Sequence, residues 1–462
     1  MYVRFNGFVS FLKKIYIKLY PIAAFQLSYP YRGYKKILVM KRKMFYPVLI
    51  AIILIISLMS CNKDENIYRY DAMVPVYMDF SEFRQPPKAK SARGIKQAGK
   101  IYFKDNLIFI NEVNEGIHVI DNANPSYPKK VTFYEITGNV DMAILGNTLF
   151  VDSYIDLIAI DISDIHRPVE ISRIENAFPE VLPMPLDQDL PYAWHQIDRS
   201  KGVIVGWEIE TMEVKDGYGW WGGGFWRLGA TMDFSNVAES AAGIAGSMAR
   251  FMLNEQYLHS IAQPHVLKTI DVSNAANMIQ TDSISSWREM ETLFRYDGYL
   301  FVGTTTGMVI YSLANPSNPE FVSELNHINA CDPVVVENDI AYVTLRAGTW
   351  CMNTTNQLDV IDISDIDAPR LLKSYPMFNP HGLGIDNGTL FICDGADGLK
   401  VYDATNPLAI QSNMIAHFSG IDTYDVIPLG DILLLIGHDG LFQYDYSDPK
   451  NIRLLSHIEV GN

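Results

Sequence analysis

The chain has 462 residues, with 37 Lys and Arg against 53 Asp and Glu and a formal charge of −16. Residues 1–60 hold ten of the basic residues and none of the acidic ones, so the remainder sets 27 basic against 53 acidic, a charge of −26. A field of that sign repels phosphate backbones and anionic lipid surfaces, which argues against nucleic acid and favours cations, basic partners or neutral glycans; the equal alternative is that the charge serves solubility on a crowded surface.

Residues 1–39 are basic and aromatic, and a complete secretory signal follows them. Translation is therefore expected to start at Met40 or Met44, with residues 1–39 outside the functional protein. Residues 40–60 have the layout of a signal peptide: Lys41-Arg42-Lys43, then an apolar run from Phe45 to Leu58 that is short for a membrane span. Leu58-Met59-Ser60-Cys61 resembles a bacterial lipobox. That resemblance implies cleavage before Cys61 and a lipid on its thiol, which anchors the chain in a membrane. Asn62-Lys63-Asp64-Glu65-Asn66 resembles the acidic signals that send lipoproteins to the outer face of the outer membrane, and a cell-surface location is expected. Residues 61–95 read as a linker. Within it, Met73 to Asp79 has strand character and is expected to add an edge strand to a neighbouring sheet, and Arg84-Gln-Pro-Pro-Lys88 reads as a spacer.

Residues 96–462 repeat one unit seven times, at a period of about 40 residues. Each copy holds short alternating β-runs, such as Thr148-Leu-Phe-Val, Tyr299-Leu-Phe-Val and Thr389-Leu-Phe-Ile. Gly146-Asn147, Asp297-Gly298 and Asn387-Gly388 sit between first and second runs as hairpin turns. The third run ends in Asp, as in Leu157-Ile-Ala-Ile-Asp161 and Leu358-Asp-Val-Ile-Asp362, and turns at a following Pro. A lone four-stranded unit cannot bury both faces, whereas a closed ring of them can. The expected fold is all-β: a seven-bladed β-propeller of four-stranded antiparallel blades, each holding its own fourth strand.

Leu157 to Asp161, Leu358 to Asp362 and Leu399-Lys-Val-Tyr-Asp403 resemble the LVIVD-repeat family, named for this strand. The likeness covers most of residues 100–460. It implies a propeller on a bacterial or archaeal cell surface and brings no agreed activity.

An insertion at about 178–247 interrupts the regularity between the second and third units. It contains an extended stretch, Gly202 to Glu210, and the run Tyr218-Gly-Trp-Trp-Gly-Gly-Gly-Phe-Trp226. Trp220, Trp221, Phe225 and Trp226 offer flat apolar faces that stack on sugar rings or anchor a protein interface. The equal alternative is a lid or plug folded back on the propeller.

Aligning the repeats places Asp141, Glu291, Asp332, His381 and Asp425 where inner strands start, at one mouth of the channel, with Met248 at that place in the third copy. Oxygen-rich ligands with one imidazole suit a divalent cation, calcium foremost, or acid–base work. The alternative is that they bond to backbone amides at the strand starts.

Cys331 and Cys351 flank one hairpin within reach of a disulfide, and Cys393 sits in a buried strand pattern as an inert thiol. Asp394-Gly-Ala-Asp-Gly398 reads as a turn rather than a calcium loop, since the later Glu is missing. No nucleophile elbow, zinc-helix motif or Walker loop occurs. The sequence therefore reads as a non-catalytic surface lipoprotein that binds a glycan or protein. The alternative is a propeller hydrolase or lyase that uses the acidic/His mouth, with or without a metal.

Overall fold

The computed structural model describes residues 67–187, 189–215, 244–326, 333–347 and 355–460. Cys61, Trp220, Trp221, Phe225, Trp226, Cys331, Asp332 and Cys351 lie outside them.

The first elements are β1 (Ile67–Met78), the single helical turn α1 (Phe80–Phe83) and β2 (Lys88–Ser91). Seven blades follow. Blade 1 is β3 (Ala98–Lys104), β4 (Leu107–Glu112), β5 (Gly116–Asp121) and β6 (Lys129–Glu135). Blade 2 is β7 (Met142–Leu145), β8 (Thr148–Ser153), β9 (Asp156–Asp161) and β10 (Val169–Ile174). The insertion contributes β11 (Val203–Lys215) and β12 (Ile244–Ala245). Blade 3 is β13 (Phe251–Asn254), β14 (Tyr257–Gln263), β15 (Val266–Asp271) and β16 (Ile279–Ser285). Blade 4 is β17 (Met290–Tyr296), β18 (Tyr299–Thr304), β19 (Gly307–Ser312) and β20 (Glu320–Asn326). Blade 5 is β21 (Val334–Glu337), β22 (Ile340–Leu345), β23 (Gln357–Asp362) and β24 (Arg370–Pro376). Blade 6 is β25 (Leu383–Asp386), β26 (Thr389–Cys393), β27 (Leu399–Asp403) and β28 (Met414–Phe418). Blade 7 is β29 (Thr423–Leu429), β30 (Ile432–Gly437), β31 (Gly440–Asp445) and β32 (Arg453–Glu459).

Local chemistry sets the turns. Asn387 and Gly388 (φ 47° and 73°) and Asp297 and Gly298 (φ 44° and 78°) take the positive φ pair that a tight hairpin needs. At the end of the third strand, Asp121, Asp161, Asp271, Asp362, Asp403 and Asp445 each accept the amide two residues on at 2.8–3.0 Å. Ser312 does the same in blade 4 at 3.2 Å. This Asx turn aims the chain into the outer strand.

Apolar side chains fill the gaps between blades. Phe301, Ile310, Val334 and Val343 join blades 4 and 5, and Phe391, Val401, Leu433 and Leu435 join blades 6 and 7. The ring closes as expected without a swapped strand, because Ile101, Ile108 and Ile110 of blade 1 pack on Ile427, Leu434 and Ile436 of blade 7. Ser456 Oγ donates to Pro125 O at 2.6 Å and Gln443 Nε2 to Asn122 Oδ1 at 2.7 Å across the same seam. Cys393 is fully buried, and burial pushes its thiol well above the usual range, so it is inert.

The linker departs from expectation. The Met73 stretch joins no blade. It lies in β1, which pairs with β11 in a two-stranded ribbon. The reason is apolar: Met73 is buried with Leu182, Ile204 and Trp207 of the insertion. The spacer after Arg84 ends in β2, which pairs with β6 and becomes the outermost strand of blade 1.

Candidate functional site

The inner strands of all blades start at one face, called here the upper face. Segment 244–250 crosses the channel there. β12 pairs antiparallel with the channel edge of β3, Ile244 opposite Phe103 and Ala245 opposite Tyr102. The hydroxyl of Ser247 accepts the Leu383 amide of blade 6. Ala249 O accepts from Leu293 N of blade 4 at 2.8 Å. Asp141 of blade 2 accepts the amides of Arg250 and Phe251 at 2.7 and 3.2 Å. A segment this short reaches blades 1, 2, 4 and 6 only by running through the axis. The chain fills its own channel, and the small residues Ala245, Gly246, Ser247 and Ala249 let it fit.

Charges at this mouth face one another. Lys100, at the channel side of β3, bonds through Nζ to Asp141, with both side chains buried. Burial pulls the Lys100 ammonium down, and Asp141 opposes that pull. Asp141 takes Met142 N at 2.7 Å on its other oxygen. Arg250 is also buried, and its guanidinium feels the carboxylates of Asp141, Asp152 and Glu291. Asp152 accepts from Val140 N, Asp141 N and Asn139 Nδ2 at 2.7, 2.9 and 3.0 Å, yet burial pushes its carboxyl up to about 7. Asp425 is buried too, pushed well above the carboxylate range, and accepts Val426 N at 2.8 Å. A Cβ on Gly382 would lie 2.3 Å from Asp425 Oδ1, so this close approach requires glycine.

The aligned residues divide into groups. Asp141 and Asp425 meet around Lys100 at the axis, and Glu291 faces Arg250. His381 sits apart, at the junction of blades 5 and 6, with Nδ1 3.0 Å from Arg346 Nη1 and Nε2 3.1 Å from the Asn379 amide. Burial, with Arg346 beside it, holds this imidazole well below its usual range, so it is neutral at pH 7. Arg346 Nη1 and Asn379 Nδ2 both present N–H donors to the ring, and the neutral imidazole accepts on one nitrogen only. Among the described residues no three of His, Cys, Asp and Glu gather as metal ligands. Asp394 accepts from Phe378 N and Asn379 N at 3.1 and 2.8 Å and bonds to Lys400, as befits a turn.

Beside the mouth, Val113, Asn114, Val140, Asp152, Tyr154 and Leu182 line a cavity of about 20 Å³, room for one water. Among the described residues, exposed aromatics on the upper surface include Trp287 and Phe378. Trp287, between β16 and β17, is 78% exposed, and Phe378, between β24 and β25, is 60% exposed. Arg288 lies under the Trp287 ring, 4.5 Å from its centroid, and is tied to Glu324 at 2.9 Å. One ring face is thereby held and the other is free. Sequence reading missed Lys100, Arg250, Trp287 and Phe378. For Trp287 there was a signal, a large aromatic among polar residues in Ser285-Ser286-Trp287-Arg288-Glu289.

The LVIVD repeat model matches residues 350–376. This chain is a seven-bladed β-propeller that carries an LVIVD repeat. The match covers β23, the Asp362 turn and β24, and the other blades place the same strand and turn at the equivalent position. Among curated proteins nothing matches. Among solved structures, a Lactobacillus plantarum protein is 11% identical with TM-score 0.49, covering 79% of this chain and 96% of its own. A periplasmic gluconolactonase of Pseudomonas aeruginosa is 13% identical with TM-score 0.48, covering 85% and 97%. BamB from Moraxella catarrhalis is 7% identical with TM-score 0.42, covering 81% and 97%. All three TM-scores fall below 0.5, and no functional conclusion rests on them.

Proposed function

We propose that this propeller is a non-catalytic binding module, anchored in the outer membrane by lipid on Cys61 and facing the cell exterior. Its upper face meets a glycan or a protein. One observation carries the reading. The channel is filled by segment 244–250 and Asp141 is engaged by Lys100 and two amides, while Trp287 and Phe378 stand exposed on the rim. A flat ring stacked on Arg288 from below is a rigid platform for a sugar ring or an interface anchor. The Trp220, Trp221, Phe225 and Trp226 run adds to the same apolar repertoire, and Cys331 with Cys351 is proposed as a clamp on its hairpin.

The test is binding of the purified protein to surface glycans and surface proteins, with Trp287→Ala and Phe378→Ala compared with the parent. Loss of binding with an unchanged melt supports the reading, and unchanged binding in both variants sinks it. Lipidation is tested by palmitate labelling in cells, which Cys61→Ala should abolish.

A second reading keeps the hydrolase or lyase alternative. It rests on the neutral His381 ring held by Arg346 and Asn379 and, apart from it, on the mouth carboxylates Asp141, Glu291 and Asp425 that a calcium ion would join. Its test is the melt with calcium and with EDTA, together with metal analysis. A melt raised by stoichiometric metal would favour it over the binding reading.

A further inference from the structure

The ribbon of β1 and β11 is built unevenly. Its inner half is buried, with Ala72, Met73, Val203, Ile204 and Trp207 packed. Its outer half is not. Arg69, Tyr70 and Asp71 on β1 and four consecutive residues on β11, Glu208, Ile209, Glu210 and Thr211, are all exposed. Four exposed neighbours in a strand mean that both faces of the ribbon stand in water there. Tyr70 is 39% and Ile209 50% exposed, and Thr211 Oγ1 donates to Asp71 Oδ1 at 2.8 Å across the pair. A two-stranded ribbon is marginal by itself, and a third strand stabilises it. Among the described residues, β11 has β1 as its only strand partner and its second edge carries no strand. An open edge is a template for strand addition.

The sequence of β11 selects the occupant. Glu208 and Glu210 alternate onto one face and have no ion-pair partner among the described residues, and Ile209 points to the other. A second copy of this chain would set Glu208 and Glu210 near their own counterparts, which like-charge repulsion disfavours. A strand with Lys or Arg at every second position and aliphatic residues between them would pair with both faces at once.

We infer that the second edge of β11 is a docking strand for an extended basic segment of a partner protein, which joins the ribbon as its third strand. This inference rests on the proposed binding role and names the partner class, and it uses a surface separate from Trp287 and Phe378.

The experiment measures binding of a fluorescent peptide alternating Lys and Val to the full chain. Its controls are a Glu and Val counterpart and a Lys and Val peptide N-methylated at every second amide. The expected result is binding of the basic peptide alone, loss on N-methylation, and at least about tenfold weaker binding to the double variant Glu208→Lys, Glu210→Lys. These exposed positions leave the fold intact, and the N-methylated ligand tests strand pairing without any variant. Binding that survives N-methylation is charge attraction only and overturns the proposal, as does failure of the basic peptide to bind. A dimer of the chain that Ile209→Asp dissolves gives the edge to a second copy and also overturns it. Trp287→Ala should leave peptide binding unchanged, so failure at the upper face and failure at the ribbon are told apart.

Discussion

At the lower rim, Asp161, Asp362 and Asp445 each accept an amide two residues ahead and stand in water. At the axis, Asp141 accepts the amides of Arg250 and Phe251, 109 and 110 positions away, in a buried setting with Lys100. The rim uses carboxylates locally, one turn at a time, in six of the seven blades, with the Ser312 hydroxyl taking that place in blade 4. Hydrogen bonds from Ser364 and then Arg370 hold Asp362 at about 2, below the carboxylate range. The axis uses a carboxylate once, to tie a foreign segment to the ring. The lesson is that the same residue type defines the repeat where it is exposed and breaks the repeat where it is buried.

The sharpest test of that contrast is Asp141→Ala. It leaves Lys100 and two amides buried without their acceptor, and the expected loss is about 3–5 kcal/mol in urea unfolding. An effect no larger than that of Asp362→Ala would break the comparison. Next comes Gly382→Ala, where the added methyl meets Asp425 Oδ1 at 2.3 Å and Tyr424 O at 2.8 Å. The expected cost is about 1–3 kcal/mol, read as a lower urea midpoint at unchanged slope.

The pH dependence separates two buried carboxyls. Asp152 is held at about 7 by burial, above the roughly 3.9 of an unfolded Asp. The folded state therefore binds the proton more tightly. This contribution is complete below about pH 4 and is lost as the pH rises through about 7. Asp152→Asn should flatten the fall in Tm across that window, and an unchanged slope would remove Asp152 from the account. Glu112 behaves in the opposite sense. Burial would raise it, but His118 at 2.7 Å and the amides of Gln97 and Lys96 override this and hold it at about 2. Its stabilisation is complete above about pH 4 and is lost as the pH falls through about 2. Glu112→Gln should flatten the acid limb of the same melts. The smallest effect belongs to Asp362→Ala, a single exposed turn, with a Tm change near the resolution of the melt.

Much of the propeller was legible because its signals are local. Alternation in Leu358 to Asp362, the turn pair Asn387-Gly388 and the capping Asp403 act over a few residues, so their meaning survives without the tertiary context. The mouth was only partly legible. Asp141 and Asp425 align with strand starts and do reach the axis, but alignment cannot reveal that Lys100 and Arg250 meet them there. The Met73 stretch was read correctly as a strand and given the wrong neighbour, because strand character says nothing about which sheet edge is apolar enough to receive it.

The sequence by itself determined the strands, the turns, the sevenfold repetition and the acidity of the propeller, since each follows from spacing and composition within one unit. Only the tertiary structure decided that segment 244–250 occupies the channel, that Asp141 holds it, and that β1 pairs with β11 outside the blades. The physical reason is distance along the chain. Ser247 meets Leu383 across 136 positions and Asp141 meets Arg250 across 109, and such contacts exist only once the ring has closed around them.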